Sequence, residues 1–366
     1  MSTHPNDTPF LHAFNCINGI GPHKLYTLSR FFDSFADAWD APKDTLIAAG
    51  LSEKIADTIV RARKKIDVGR AWETVEKEHV RLISVRDACF PPQCADLPNP
   101  PFCLYVRGAV EALTMPSVAI VGSRTVSQYG AHATTTFATA LAHAGIAVIS
   151  GLALGTDSIA HRTTLDAQGT TVAVLAGGVD DATITPRTHH NLAQHILANG
   201  GAIISEYPCY TQPSRGTFPV RNRLMAALAH AVIIIEATQK SGTLITAEHA
   251  KKCHRPLFAL PGSIFAAHAH GPNTLIQTHD AQPILTSDDV LRIFTKKAAQ
   301  KNAPQFTGPH QKHIYDIINA SAHGVPINTI IKQSALDTQT VSTALTIMEL
   351  DGHITNIGNQ TYICTP

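Results

Sequence analysis

SVAIVGSR, residues 117 to 124, is a short apolar, β-branched run that ends on glycine. Five more runs follow the same grammar: IAVISGLA at 146–153, TVAVLAGG at 171–178, AIISEYP at 202–208, AVIIIEA at 231–237 and PLFALPG at 256–262. Continuous apolar runs belong to strands covered on both faces, and the helical periods between them supply the cover. Together they predict a Rossmann-like, doubly wound, mostly parallel α/β sheet over residues 117–295. Ligands of such sheets gather at the carboxyl ends of the strands. That edge receives GSR, SGLA, AGG, SEYP, EATQKSGT and PGS.

Outward from this core the pattern changes on both sides. Residues 1–88 carry two glycine turns that lead into amphipathic helices, INGIGPHKLYTLSRFF at 17–32 and AAGLSEKIADTIVRAR at 48–63. They predict a helical domain of the helix-hairpin-helix or SAM-like kind. Its turn amides could touch a DNA phosphate, or the bundle could serve packing alone. Residues 89–116 are rich in proline and read as an irregular connector holding one short strand, CLYVRG at 103–108. Residues 296–308, KKAAQKNAPQFTG, read as a second linker. Residues 309–366 give helix, helix, helix and a hairpin turning at Gly358 and Asn359, the order of a winged helix. The third helix, TQTVSTALTIMELDG at 338–352, has no lysine or arginine, which favours protein contact or structure over reading DNA.

With 366 residues, 44% apolar and 16% charged, the chain is long enough for two or three globular domains. Its start, MSTHPNDTPF, lacks the basic and apolar regions of a signal peptide, and no apolar run approaches the roughly 18 residues of a membrane span. A cytoplasmic location without membrane attachment is expected. The 7 cysteines are odd in number and never in C-x-x-C spacing, so reduced structural thiols are expected, with no metal and no cofactor. The 20 histidines should add positive charge and tighten anion binding below about pH 6.5.

The formal net charge is only +1, so a local excess of cations carries information. Arg215, Arg221, Arg223 and Lys240 surround Phe218 in a stretch, 207–250, whose acids are Glu236 and Glu248. Guanidinium groups hold phosphate oxygens in planar pairs, and an aromatic among them offers a face to an unpaired base. Gly122, Ser123 and Arg124 form a glycine-led turn whose amides suit a phosphate. Lys240 with the amides of Ser241, Gly242 and Thr243 makes a second cradle. It is not a P-loop, because the lysine precedes the glycine, and ATP hydrolysis is disfavoured. Gly151 stands in a tight turn, SGLALGTDSIAH at 150–161. Asp157 and His161 in that stretch could form an acid–base pair, or simply satisfy the free amides of a helix start and pack beside it.

The ordered series VAIVGSR, ISGLALGTDSIAH, VLAGGVD, PRTHHNLA, GGAIISEYP, FPVRNRLMAALA, IIIEATQKSGTLITA and FALPGS resembles the DNA-processing protein A family, also called Smf. The resemblance covers some 180 residues and extends to both flanking segments. It implies a single-stranded DNA-binding protein, not an enzyme, that protects incoming DNA and loads the RecA recombinase onto it in natural transformation, acting as a homodimer. Carried over by residue, it places Arg124, Arg187, Arg215, Phe218 and Lys240 in the DNA pocket, and Asn222 falls within its FPVRNR motif. Thr185 stands where an aromatic often precedes the PR pair, and THDAQP at 278–283 lacks the glycine usual after PGS. Two alternatives remain. One is a Rossmann-like nucleotide phosphoribohydrolase, although Gly177 and Gly178 lack the G-T that should follow them. The other is a winged-helix DNA-binding regulator.

Overall fold

Nine strands form one sheet: β1 (Val80–Ser84), β2 (Cys103–Gly108), β3 (Ser117–Val121), β4 (Ala147–Ser150), β5 (Thr171–Val174), β6 (Ala202–Ser205), β7 (Ala231–Ile234), β8 (Leu257–Ala259) and β9 (Gln282–Pro283). The order in this computed structural model is β1-β2-β6-β5-β4-β3-β7-β8-β9. The structure describes residues 7–301, 306, 308–321, 324–358 and 360–364. The six expected strands are β3 to β8, and neighbours among them pair in parallel. The chain winds from β3 outward to β6, then crosses back to lay β7 against the other side of β3. The crevice between β3 and β7 is thus the switch point, where strand ends diverge and leave room for a ligand.

Six helices precede the core: α1 (Thr8–Asn15), α2 (Pro22–Phe31), α3 (Phe35–Asp40), α4 (Lys43–Ala48), α5 (Glu53–Arg63) and α6 (Val68–Lys77). The two glycine turns are present, with Gly19 at φ 90° and Gly50 at φ 101°, conformations a side chain would strain. The expected break after residue 88 is not. β1 pairs antiparallel with β2, and β2 with β6, so the proline-rich stretch hands a strand to the sheet edge. Tyr105 on β2 is fully buried, and its hydroxyl meets His12 Nδ1 of α1 at 2.8 Å and Asn15 at 3.3 Å. Residues 1–294 accordingly form one unit and 295–366 another.

Within the first unit lie α7 (Gln128–His143), α8 (Thr156–Asp166), α9 (His190–Ala198), α10 (Thr217–Leu228), α11 (Thr243–Lys252), α12 (His270–Gln277) and the start of α13 (Ser287–Lys301). Strand residues alternate between faces. Val118, Ile120 and Val148 pack under Phe137 and Leu141 of α7, while Ala119, Val121 and Ile234 pack under Leu224 and Met225 of α10. The expected linker at 296–308 begins as helix, because α13 runs to Lys301.

The second unit has α14 (Gln311–Asn319), α15 (Ile327–Ser334) and α16 (Thr338–Leu350), with strands β10 (Val325–Pro326), β11 (Ile354–Asn356) and β12 (Thr361–Cys364) in the order β10-β12-β11. Asp337 caps α16 by accepting from Thr340 N at 2.9 Å. Its own core includes Ile314, Ile318, Ile330, Leu345 and Met348. The winged-helix order is the one expected, with β10 as an addition; Asn359 lies outside the described residues.

Candidate nucleic-acid interface

At the β3/β7 crevice lies a cleft of about 400 Å³. Its walls include Gly122, Ser123, Arg124, Arg215, Phe218, Arg221, Asn222, Ser241, Gly242 and Thr243, which sequence spacing alone had scattered over 120 positions. Thr243 Oγ1 donates to Gly122 O at 3.0 Å and so joins the loop after β3 to the start of α11. Thr125, Thr238 and Thr246 add hydroxyls to the lining. Only Thr246 left a sequence signal, lying one helical turn beyond Thr243.

The cations divide into two kinds. Arg124, Arg215 and Lys240 are exposed and have no acidic partner among the described residues. Arg124 lies against Phe218, its guanidinium carbon 5.3 Å from the ring centroid. Arg221 is of the other kind, 6% exposed. Its Nη1 donates to Gly151 O and Val174 O, each at 2.6 Å, and its Nε to Asn222 Oδ1 at 3.0 Å. It also approaches the Phe218 ring, at 5.8 Å. Burial pushes the Asp157 carboxyl above its usual range and the Arg221 guanidinium below its own; each group opposes the other's shift by attraction.

Four expected site residues fall outside the cleft lining. Arg223 turns to the opposite side of α10, where its Nη2 holds the Glu206 carboxylate at 2.6 and 2.8 Å. Burial raises Glu206, and Arg223 pulls it back. Gly151 is buried beneath Arg221 and Asp157, too close for any side chain. Arg187 borders a separate cleft of about 290 Å³ with Asp181 and His190, because the loop after β5 carries it away from β3. Lys240 stands exposed just before the cradle, while Ser241 and Gly242 border the cleft. A larger cleft of about 670 Å³ lies between the Gly19 turn and residues 206–211, but the arginine on its wall is Arg223, already ion-paired.

Asp157 accepts from the amides of Gly151 at 3.1 Å and Ala153 at 3.3 Å, which is the amide-satisfying role. His161 is buried against Thr171 Oγ1 at 2.7 Å, with burial lowering its pKa to about 3. No acid–base pair forms there. Gly177–Gly178 close β5, whereas Gly242–Thr243 follow β7, with β4 and β3 between them, so a phosphoribohydrolase motif is not assembled. Among the described residues no group of three or more His, Cys, Asp or Glu could hold a metal, and no helix is long and apolar enough to cross a membrane. All seven cysteines are free.

Fold and cleft together define an α/β protein with a basic, amide-lined crevice at the topological switch, joined in sequence to a winged-helix unit. Residues 81–295 match the model for DNA recombination-mediator protein A, and residues 298–358 the model for the DprA winged helix domain. Protein Smf of Escherichia coli is 33% identical over 302 residues, covering 80% of this chain and 79% of that one. Protein Smf of Synechocystis is 34% identical over 284 residues, 76% of this chain and 70% of its own. The X-ray structure of DNA processing protein A from Streptococcus pneumoniae superposes with a TM-score of 0.67 at 28% identity, over 80% of this chain and 98% of that one. DNA processing protein A from Helicobacter pylori, described for its single-stranded DNA binding mode, superposes at 0.54 with 34% identity, over 60% and 98%. The chain belongs to the DNA recombination-mediator protein A family, also known as DprA or Smf.

Proposed function

We propose that the chain binds single-stranded DNA in the β3/β7 cleft, protects it and delivers it to the RecA recombinase, acting by binding and not by turnover. The observation that carries this reading is the trio of exposed, unpaired cations, Arg124, Arg215 and Lys240, beside half-buried Phe218 at converging loop amides. The cations and amides take successive phosphates, which gives affinity without sequence preference. A base that stacks on Phe218 displaces the Arg124 guanidinium from the ring and frees it for the backbone. The family's place in recombination and the single-stranded DNA binding of the Helicobacter pylori relative support the same reading. A homodimer through the Rossmann-like domain doubles the track and raises avidity without new contacts. The absence of lysine and arginine from α16 makes the winged-helix unit a protein-contact module in this scheme.

The experiment is fluorescence anisotropy of a labelled mixed-sequence oligonucleotide, single-stranded and duplex, across a salt series. Single-strand preference with steep salt dependence is expected. Combining Arg124→Ala with Arg215→Ala should weaken binding at least about tenfold and lower the salt slope by about 0.7 for each phosphate no longer neutralised. Duplex preference or absent binding sinks the proposal. Release of a free base from a nucleotide would replace it with an enzyme.

A further inference from the structure

Three consecutive residues of α10 reach three different parts of the sheet edge. Arg221 bonds Gly151 O, after β4, and Val174 O, at the end of β5. Asn222 Nδ2 donates to Gly242 O, after β7, at 3.1 Å, and its Oδ1 receives Arg221 Nε. Arg223 holds Glu206, after β6, and Asn99 O at 2.6 Å. Successive helical side chains point about 100° apart, so one short segment can fan out in this way. Two of the tethered loops, those after β4 and β7, are walls of the cleft, and Phe218 stands one turn earlier on the same helix.

We propose that Arg221, Asn222 and Arg223 are positioning residues, which set the separation of the loops that hold DNA and do not themselves bind phosphate. Resting on the single-stranded DNA reading above, this assigns the phosphates to Arg124, Arg215 and Lys240. Burial argues for the division. Arg221 and Asn222 are 6% and 9% exposed, and the Arg223 side chain 13%. Both Nη1 hydrogens of Arg221 are committed to backbone carbonyls, and Asp157 supplies the countercharge. Arg223 is neutralised by the Glu206 carboxylate, both of whose oxygens accept from its Nη2. A cation so paired gains nothing from phosphate unless a buried acid is left alone, which is costly.

Two readouts on the full-length protein test this. In the salt series, Arg215→Ala, which removes a grip, should lower both affinity and salt slope. Arg221→Gln and Asn222→Ala should lower affinity about tenfold with the slope unchanged. A fall in slope for Arg221→Gln equal to that for Arg215→Ala overturns the assignment, since it marks a phosphate that Arg221 had been holding. The second readout needs no DNA: amide hydrogen exchange in 151–153 and 241–243 should quicken at least about tenfold in Asn222→Ala, a neutral change that keeps the fold even if Arg221→Gln does not. Unchanged exchange in both segments overturns the clamp. Should the wild-type protein not bind a single strand, the functional reading fails while exchange still decides the clamp.

Discussion

Gly151 is where the edge is tightest. A methyl group there would overlap Arg221 Nη1 and lie 2.7 Å from Asp157 Oδ2, so neither partner can be accommodated without breaking its bonds. Gly151→Ala is expected to destabilise the fold by about 1–3 kcal/mol, the range for overpacking a filled site, and to weaken single-stranded DNA binding with it. Urea unfolding of this variant beside the wild type would decide it; an unchanged midpoint would refute the close-packing argument. The same spot explains what the sequence could and could not disclose. The window 207–223 contains no acid, so all its arginines read as grips. Glu206 lies one residue before that window, and Asp157 arrives from a different strand end, 64 positions before Arg221. Which arginine is spent on an internal acid depends on three-dimensional pairing, and linear charge counting has no access to it.

At the level of elements, β3 to β8 were legible because each is a short, mostly apolar run that soon gives way to glycine, proline or polar loop residues. β2 was legible as the strand CLYVRG, but its membership of the sheet was not, and β1 was missed altogether: the two pair antiparallel at an edge, across a proline-rich excursion that looks like a linker. α1 and α8 each bury a histidine whose charged form the fold disfavours. Burial lowers His12 to about 4 and His161 to about 3. A histidine whose folded pKa is depressed is protonated in the unfolded chain first, so its penalty appears as pH falls below about 6.5 and saturates once the folded pKa is passed. For His12 the span from 6.5 to about 4 corresponds to a loss of about 3 kcal/mol. Stability should therefore decline from pH 6.5 toward 4, and His12→Gln should lessen that decline. Equal pH profiles for the two proteins in urea titrations would contradict it. Any gain in anion binding from exposed histidines is consequently confined to mildly acidic solution.

For the molecule as a whole, the two units each have a core of their own, and every residue of the cleft belongs to 1–294. A fragment ending at Phe294 should fold cooperatively and keep its affinity for a single strand to within about threefold. A loss beyond tenfold, with the fragment folded by circular dichroism, would give the winged-helix unit a direct part in gripping DNA. The absence of lysine and arginine from α16 was visible in the sequence, and the structure adds that Leu350 and Ile357 of that unit are 82% and 53% exposed. The fan of α10 has one more consequence, for the lengths this chain can evolve. An added residue in the loop before Thr217 is absorbed by flexible backbone, but one added between Thr217 and Arg221 turns the rest of the helix by about 100° and moves it about 1.5 Å. All three tethers then miss together. Insertions and deletions in descendants of this sequence should therefore gather in the surface turns and spare the first two turns of that helix, even where its side chains drift.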